Sequence, residues 1–265
     1  MSMRFGPAKL GGIKEAPEVL TKFHDLGLRA CEIAFSRGIY IKNKTEAVRI
    51  AKKAKDYGIK LSIHAPYYIN LNSEDPKIVE ESKQRILECC EIGTYLGAYV
   101  VVFHAGYYGK KTRQESYKNI KQNILEIQEE IKKRKYSPAL APEVTGKINV
   151  FGDLEEISSL VKETKCSFCI DFAHVLARYK THNFGEVEKR FGKYDNWHVH
   201  FSGIDYGEKG EKNHISTSNR EIKKLLFNLP KDKNIVIINE SPDCVKDSIT
   251  SLEYYDKYFN KSESK

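Results

Sequence analysis

The chain has 265 residues, of which 40% are hydrophobic and 11% aromatic, and its 44 Lys and Arg outweigh 36 Asp and Glu to give a formal net charge of +8. No apolar run approaches the ~20 residues that cross a bilayer. The opening MSMRFGPAKLGG has no apolar core of a secretion signal, so no membrane partner is expected and the expected compartment is the cytoplasm.

Taken in chain order, short apolar runs alternate with amphipathic segments. Strands are expected at Met3–Ala8 and Ala30–Phe35, then a helix over Thr45–Asp56 with Thr45 as N-cap and Gly58 as stop. A third strand, Lys60–His64, precedes a helix over Pro76–Tyr95 that stops at Gly97, and a fourth, Tyr99–His104, precedes a helix over Arg113–Arg134. The fifth strand, Pro138–Glu143, leads to a helix over Asp153–Glu163 capped by Asp153. Strands at Phe168–Phe172, Trp197–Ser202 and Asn234–Glu240 follow, with a last helix over Val245–Tyr258. Near-continuous apolar strands alternating with helices imply a parallel sheet covered by helices. Eight such units in about 250 residues is the count of a (β/α)₈ TIM barrel. The expected organisation is one α/β domain over residues 1–260 and a short polar tail at 261–265. A doubly wound open sheet is weaker, because no G-x-G-x-x-G follows the first strand.

The six cysteines sit mostly in strand or helix patterns and read as reduced core residues. Cys166 and Cys169 form a CxxC, but a redox pair belongs at a helix start, where the dipole lowers a thiol pKa. This one lies beside a strand, where a spacing of three sends the side chains to opposite faces.

The histidines and carboxylates are placed by position. LSIHAPYY ends the third strand at His64, VVVFHAG the fourth at His104, and ALAPEV the fifth at Glu143. CIDFAH gives Asp171 and His174, WHVHFSG gives His198 and His200 on one face, and VIINES gives Glu240. In a parallel barrel these ends all face one way, toward the side where barrel active sites form. Singly, each is more readily a satisfied core histidine or a salt-bridged acid, and His24 and His182 are read that way. Together, converging carboxylates repel and buried polar groups are costly, unless divalent metal compensates them. Imidazole and carboxylate donors without thiolate point to Zn²⁺, with Mn²⁺ or Fe²⁺ also suited. Seven donors exceed the four of one tetrahedral zinc, so two or more ions sharing carboxylates are expected, an arrangement suited to in-line attack on a phosphodiester. Glu211 and His214, in the GEKGEKNHIS segment after the seventh strand, are further candidates. The lysines of that segment, Lys212 among them, are placed to meet phosphate, in keeping with the positive balance, though lysine-rich stretches such as KKAKDYGIK also read as solvated helix faces.

These motifs resemble the endonuclease IV family of apurinic/apyrimidinic endonucleases. HAPYYINL at 64–71, LGAYVVVFHAG at 96–106, PEVTGK at 142–147, CIDFAHVLARY at 169–179, WHVHFSG at 197–203 and INES at 238–241 occur in family order. The resemblance implies a TIM barrel with three zinc ions that cleaves the phosphodiester 5′ to an abasic site in duplex DNA and leaves a 3′-hydroxyl. By the same resemblance His64 and His104 ligate a first zinc, and Glu143 bridges the first and second and orients or deprotonates the attacking water. Asp171, His200 and Glu240 ligate the second, and His174 the third, with Glu211 and His214. Tyr67 and Tyr68 match a loop that enters the minor groove, and Arg37 one that fills the gap in the base stack; ordinary loop packing is the plainer alternative for the tyrosines. The chain is expected to act as a monomer. It departs from the family where many members carry Asp-x-His: here Glu211 and His214 are one residue further apart, and Phe201, Ser202 and Gly203 follow His200 in place of Asn-Asp.

Two other readings compete. A sugar isomerase or epimerase of the xylose isomerase-like superfamily shares the barrel and a Glu, Asp, His, Glu set, but gives no joint purpose to His64, His104, His174 and His214. A nucleic-acid-binding module needs no acid and histidine at six strand ends.

Overall fold

A computed structural model describes residues 2–260; the expected tail at 261–265 lies outside them. Eight parallel strands build the barrel: β1 (Met3–Pro7), β2 (Ala30–Ala34), β3 (Lys60–His64), β4 (Val100–Phe103), β5 (Ala139–Pro142), β6 (Cys169–Asp171), β7 (Asn196–Phe201) and, last, β10 (Asn234–Asn239). They form two four-stranded halves, β2-β3-β4-β5 and β1-β10-β7-β6. The halves meet at a parallel bridge between Glu143 and Cys169, where Val144 N donates to Cys169 O. On the other side Arg29 N donates to Phe5 O, and Gly6 packs so tightly that a Cβ there would lie 1.7 Å from Ala30 O. The fold is the expected TIM barrel.

Helices α1 (Ala16–Asp25), α2 (Lys44–Asp56), α3 (Pro76–Leu96), α4 (Arg113–Arg134), α5 (Leu154–Thr164), α6 (Phe172–Tyr179), α7 (Phe184–Phe191), α8 (Asn219–Asn228) and α9 (Cys244–Phe259) cover the strands. Asp153 caps α5 as expected, but the cap of α2 is Asn43, whose side chain accepts from Thr45 N; Thr45 already lies inside the helix. Gly97 ends α3 in the left-handed region at φ 66°.

Period-two alternation sorts the strands. Outward residues such as Cys31, Ile33, Leu61, Ile63, Val101, Phe103, Val199 and Ile237 join the main apolar core beneath the helices. Inward residues are aliphatic, small or polar: Ala30, Val100, Val102, Ala141, Cys169, Val236 and Ile238, with Glu32, Ser62, His198 and His200 buried among them. All six cysteines are buried and unpaired.

The hairpin beside the site was not anticipated, and neither were the short helices α6 and α7. The segment after β7, expected as a loop, is an antiparallel hairpin of β8 (Gly203–Gly207) and β9 (Gly210–Ile215). Its tip docks on the segment after β5: Glu211 N donates to Gly146 O and Ile148 N to Lys209 O. A Cβ on Gly210, at φ 95°, would meet Gly146 O at 2.2 Å, so glycine is needed there.

Candidate metal centre

The strand ends deliver their donors to one spot. His64 Nε2 and His104 Nε2 each lie 3.2 Å from Glu143 Oε2. His64 Nδ1 donates to Ala65 O at 2.7 Å, which leaves Nε2 free to face the carboxylate. Glu143 Oε1 points the other way, 3.1 Å from His174 Nδ1 and 3.4 Å from His200 Nδ1. His200 Nδ1 is also 3.4 Å from Glu240 Oε2. Asp171 N-caps α6, its Oδ1 accepting from His174 N at 2.9 Å, so Oδ2 is left over. The short helix begins directly at the strand end, and this fixes the Asp171–His174 spacing at the barrel's lip.

His174 Nδ1 faces Val144 O at 3.0 Å, and its Nε2 looks outward to His214 Nε2 at 3.2 Å and Glu211 Oε2 at 3.5 Å. A spacing of three would place Glu211 and His214 on opposite faces of a regular strand. The hairpin register resolves this: Asp205 pairs with Asn213 and Tyr206 with Glu211, so Lys212 is the extra residue of a β-bulge. The additional residue that distinguishes this segment from Asp-x-His is thereby absorbed. Ser202 also finds a purpose, its Oγ lying 2.6 Å from His214 Nδ1 and holding that ring.

Among the described residues, four overlapping groups have donor atoms mutually within 4.8 Å: His64, His104 and Glu143; Glu143, Asp171, His200 and Glu240; Asp171, His174 and His214; and Cys169, His198 and His200. The first three form a chain linked through Glu143 and Asp171. The chemistry of this donor set fits divalent metal, and so does its hydrogen bonding: Glu143 Oε1, Asp171 Oδ2 and His200 Nδ1 are buried without a hydrogen-bond partner and all belong to one group. Among themselves the groups hold protons unevenly. Burial disfavours the Glu143 anion, yet His104 and His200 keep its carboxyl well below the usual range. At Glu240 burial is likewise overcome, by His200, down to about 2, whereas burial pushes Asp171 up. Burial lowers His64 and the Glu143 carboxylate more than reverses it, to about 9.

Around the mouth, the Tyr67 ring sits 5.4 Å from His64 and 6.0 Å from His104, centroid to centroid, and is half exposed. Tyr68 is as open but is also engaged, its hydroxyl donating to Arg37 O and its ring lying under Arg85. Arg37 is exposed on the turn after β2. Lys212 stands on the bulge, 3.7 Å from Asp205 Oδ2. A cavity of about 180 Å³ beside His104 is lined by Tyr67, Tyr107, Thr145, Lys147 and Glu211.

Sequence reasoning missed Glu32. It is fully buried inside the barrel, 3.0 Å from His198 Nε2 and 2.9 Å from His200 Nε2. His198, left open as a ligand or a supporting residue, lies one layer below the three linked groups. The signal was available in ACEIAF, where Glu32 takes the inward register of Ala30.

The family model described as Xylose isomerase-like TIM barrel matches residues 20–229. An uncharacterized protein of Methanocaldococcus jannaschii is 35% identical, covering 92% of either chain. A probable endonuclease 4 of Aquifex aeolicus is 24% identical over 62% of this chain and 58% of its own. Among solved structures, endonuclease IV from Thermus thermophilus superposes with a TM-score of 0.70 at 20% identity, covering 99% of this chain and 100% of that one. D-psicose 3-epimerase superposes with a TM-score of 0.68 at 17% identity, covering 91% and 92%. At those identities the structural likeness speaks for the fold.

Proposed function

The chain belongs to the xylose isomerase-like TIM barrel family, and on that premise we propose that it is a metal-dependent endonuclease that hydrolyses the phosphodiester 5′ to abasic sites in duplex DNA and leaves a 3′-hydroxyl. The observation that carries this reading is the chain of three donor groups linked through Glu143 and Asp171. A ketose epimerase needs only the middle group, Glu143, Asp171, His200 and Glu240. That group is complete in itself and, with the likeness to D-psicose 3-epimerase, keeps a sugar epimerase as the second reading.

In the endonuclease reading His64 and His104 would hold a first ion with Glu143; Glu143, Asp171, His200 and Glu240 a second; and His174, His214 and Glu211 a third, zinc being the metal that best matches the donors, with Mn²⁺ or Fe²⁺ also suited. Bound divalent ions lower the pKa of water and offset charge that builds on the phosphate and the leaving oxygen. Glu143, ionised despite its burial, orients the attacking water at the centre of the cluster and draws on its proton. Tyr67 covers the first group and limits access of bulk water. Lys147, in the adjoining cavity, meets the phosphate backbone. Arg37, Tyr67 and Tyr68 enter the groove at the lesion, and Lys212 contacts a flanking phosphate once it leaves Asp205. An abasic nucleotide has no base to unstack, so extruding it costs less than extruding an intact one.

The test is a comparison of substrates. Purified protein reconstituted with zinc is expected to nick a duplex with one abasic site, to spare the intact duplex, and to leave ketoses unchanged. Glu143→Gln is expected to lower incision by about 10²–10⁴-fold with the fold retained. Epimerisation of a ketose at C3 with no nicking would favour the second reading.

A further inference from the structure

We propose that Glu32 is a positioning residue that fixes the tautomer of His200, so that Nδ1, not Nε2, is the nitrogen presented to the metal centre. The inference rests on the metal-centre reading of Glu143, Asp171, His200 and Glu240.

The strand registers set up the contact. Glu32 on β2 and Ser62 on β3 are paired neighbours, and both point into the barrel. Across the interior, His198 and His200 share the inward face of β7. Ser62 Oγ–H donates to Glu32 Oε2 at 2.8 Å, and His198 Nε2 approaches the same oxygen at 3.0 Å. Glu32 Oε1 makes no hydrogen bond; the ring nitrogen facing it is His200 Nε2, 2.9 Å away but out of hydrogen-bond alignment. The two imidazole Nε2 atoms are 3.1 Å apart and converge on one carboxylate.

A carboxylate buried this deeply is costly unless both its oxygens accept hydrogen bonds. Oε2 is supplied by Ser62 and His198; Oε1, otherwise unpaired, meets positive charge only if His200, 2.9 Å away, carries its proton on Nε2. That proton leaves the Nδ1 lone pair facing Glu143 Oε1 and Glu240 Oε2 at 3.4 Å each, with no hydrogen-bond donor of its own. Three electron-rich atoms turned toward one point form a site for a cation. Carboxylate–histidine–metal triads of this kind orient the ring and raise its basicity as a ligand. His198 is held on the same principle: its Nε2–H donates to the Glu32 carboxylate, which leaves Nδ1 to accept from the Tyr99 hydroxyl. Lys60 caps the Tyr99 ring at 3.9 Å, so a polar file runs from the lower mouth of the barrel up to His200.

Glu32→Gln keeps the shape but offers one acceptor and turns an NH₂ group toward a ring N–H. The strain is relieved when a histidine moves its proton to Nδ1, which at His200 blocks the metal-facing atom. Zinc affinity, read by chelator competition on the reconstituted protein, is expected to fall about 10–100-fold in Glu32→Gln. Ser62→Ala, which leaves the Glu32–His200 contact in place, is expected to change it only a few-fold. Nitrogen NMR of the ¹⁵N-histidine wild-type protein is expected to show His200 protonated at Nε2 and zinc-shifted at Nδ1, a signature that a merely structural role for Glu32 would not move. Folded Glu32→Gln with wild-type zinc affinity would overturn the proposal, as would a His200 resonance protonated at Nδ1 in the zinc-loaded wild type. If Glu32→Gln fails to fold, the wild-type spectrum decides. Wild-type protein that takes up no zinc overturns the metal-centre reading, and this inference with it.

Discussion

Asp171 uses its two oxygens for different purposes. Oδ1 caps α6 through His174 N, and Oδ2 faces the cluster without a partner. Burial pushes its carboxyl up against the opposing pull of His174 and His214, so the anion is a burden on the fold that a bound cation relieves. Asp171→Asn keeps the cap and removes the charge; metal-free protein is expected to melt at the wild-type temperature or above, with zinc uptake at the centre lost. Asp171→Ala is expected to lose about 1 kcal/mol through the cap. Thermal melts and zinc titrations of both variants check this. His182 tests the same physics away from the centre. It is buried beside Phe184, its Nδ1 has no partner, and burial with Lys224 nearby lowers it to about 4. Between that value and the ordinary value near 6.5 the unfolded chain binds more protons, so stability rises with pH across this window and is lost as pH falls through it. His182→Gln is expected to flatten the slope of melting temperature against pH between about 4 and 6.5 relative to wild type. At this scale the sequence was legible where a donor ends a strand, as at His64, His104 and Glu143. It was less so for Glu32, Ser62 and Ser202, which act on other side chains. A mid-strand acid looks like any inward residue until its partners across the barrel are in place.

At the scale of elements, the hairpin shows where pattern reading gives out. GEKGEKNHIS has neither an apolar run nor clean alternation, because β9 is largely solvent-facing and its bulge interrupts the period of two. Its pairing with β8 is local but bulged, and its docking on Gly146 is a long-range contact that no local signal announces. The short helices α6 and α7 escaped for a related reason, since eight residues hold barely two turns of periodicity. The bulge makes a prediction of its own. Deleting Lys212 removes the extra residue and leaves Glu211 and His214 on one face, so zinc content is expected to stay near the wild-type value. Gly210→Ala keeps the spacing but forces a Cβ against Gly146 O at positive φ, and is expected to shift the hairpin and weaken binding at the His174–His214 group. Metal analysis of the two purified variants separates these outcomes.

For the whole molecule, the alternation of strand and helix carried the barrel almost completely, because every barrel strand is covered outside by apolar packing and so reads as apolar. The net charge of +8 is a property of the same scale. A basic surface acting on a phosphodiester backbone implies counterion release, with log affinity falling by about 0.9 per phosphate neutralised for each decade of salt. Binding to an abasic duplex is therefore expected to weaken steeply between about 50 and 200 mM salt, which a fluorescence anisotropy titration would show. Binding of a neutral sugar would not.

The most direct measurement places the protein with an abasic-site duplex, strips it with a strong chelator, and restores zinc. Incision on the 5′ side of the lesion is expected before stripping, none after it, and recovery with zinc, the nicked strand carrying a 3′-hydroxyl that a DNA polymerase extends. An intact duplex under zinc-replete conditions, or incision indifferent to the chelator, would contradict a metal-dependent abasic-site endonuclease.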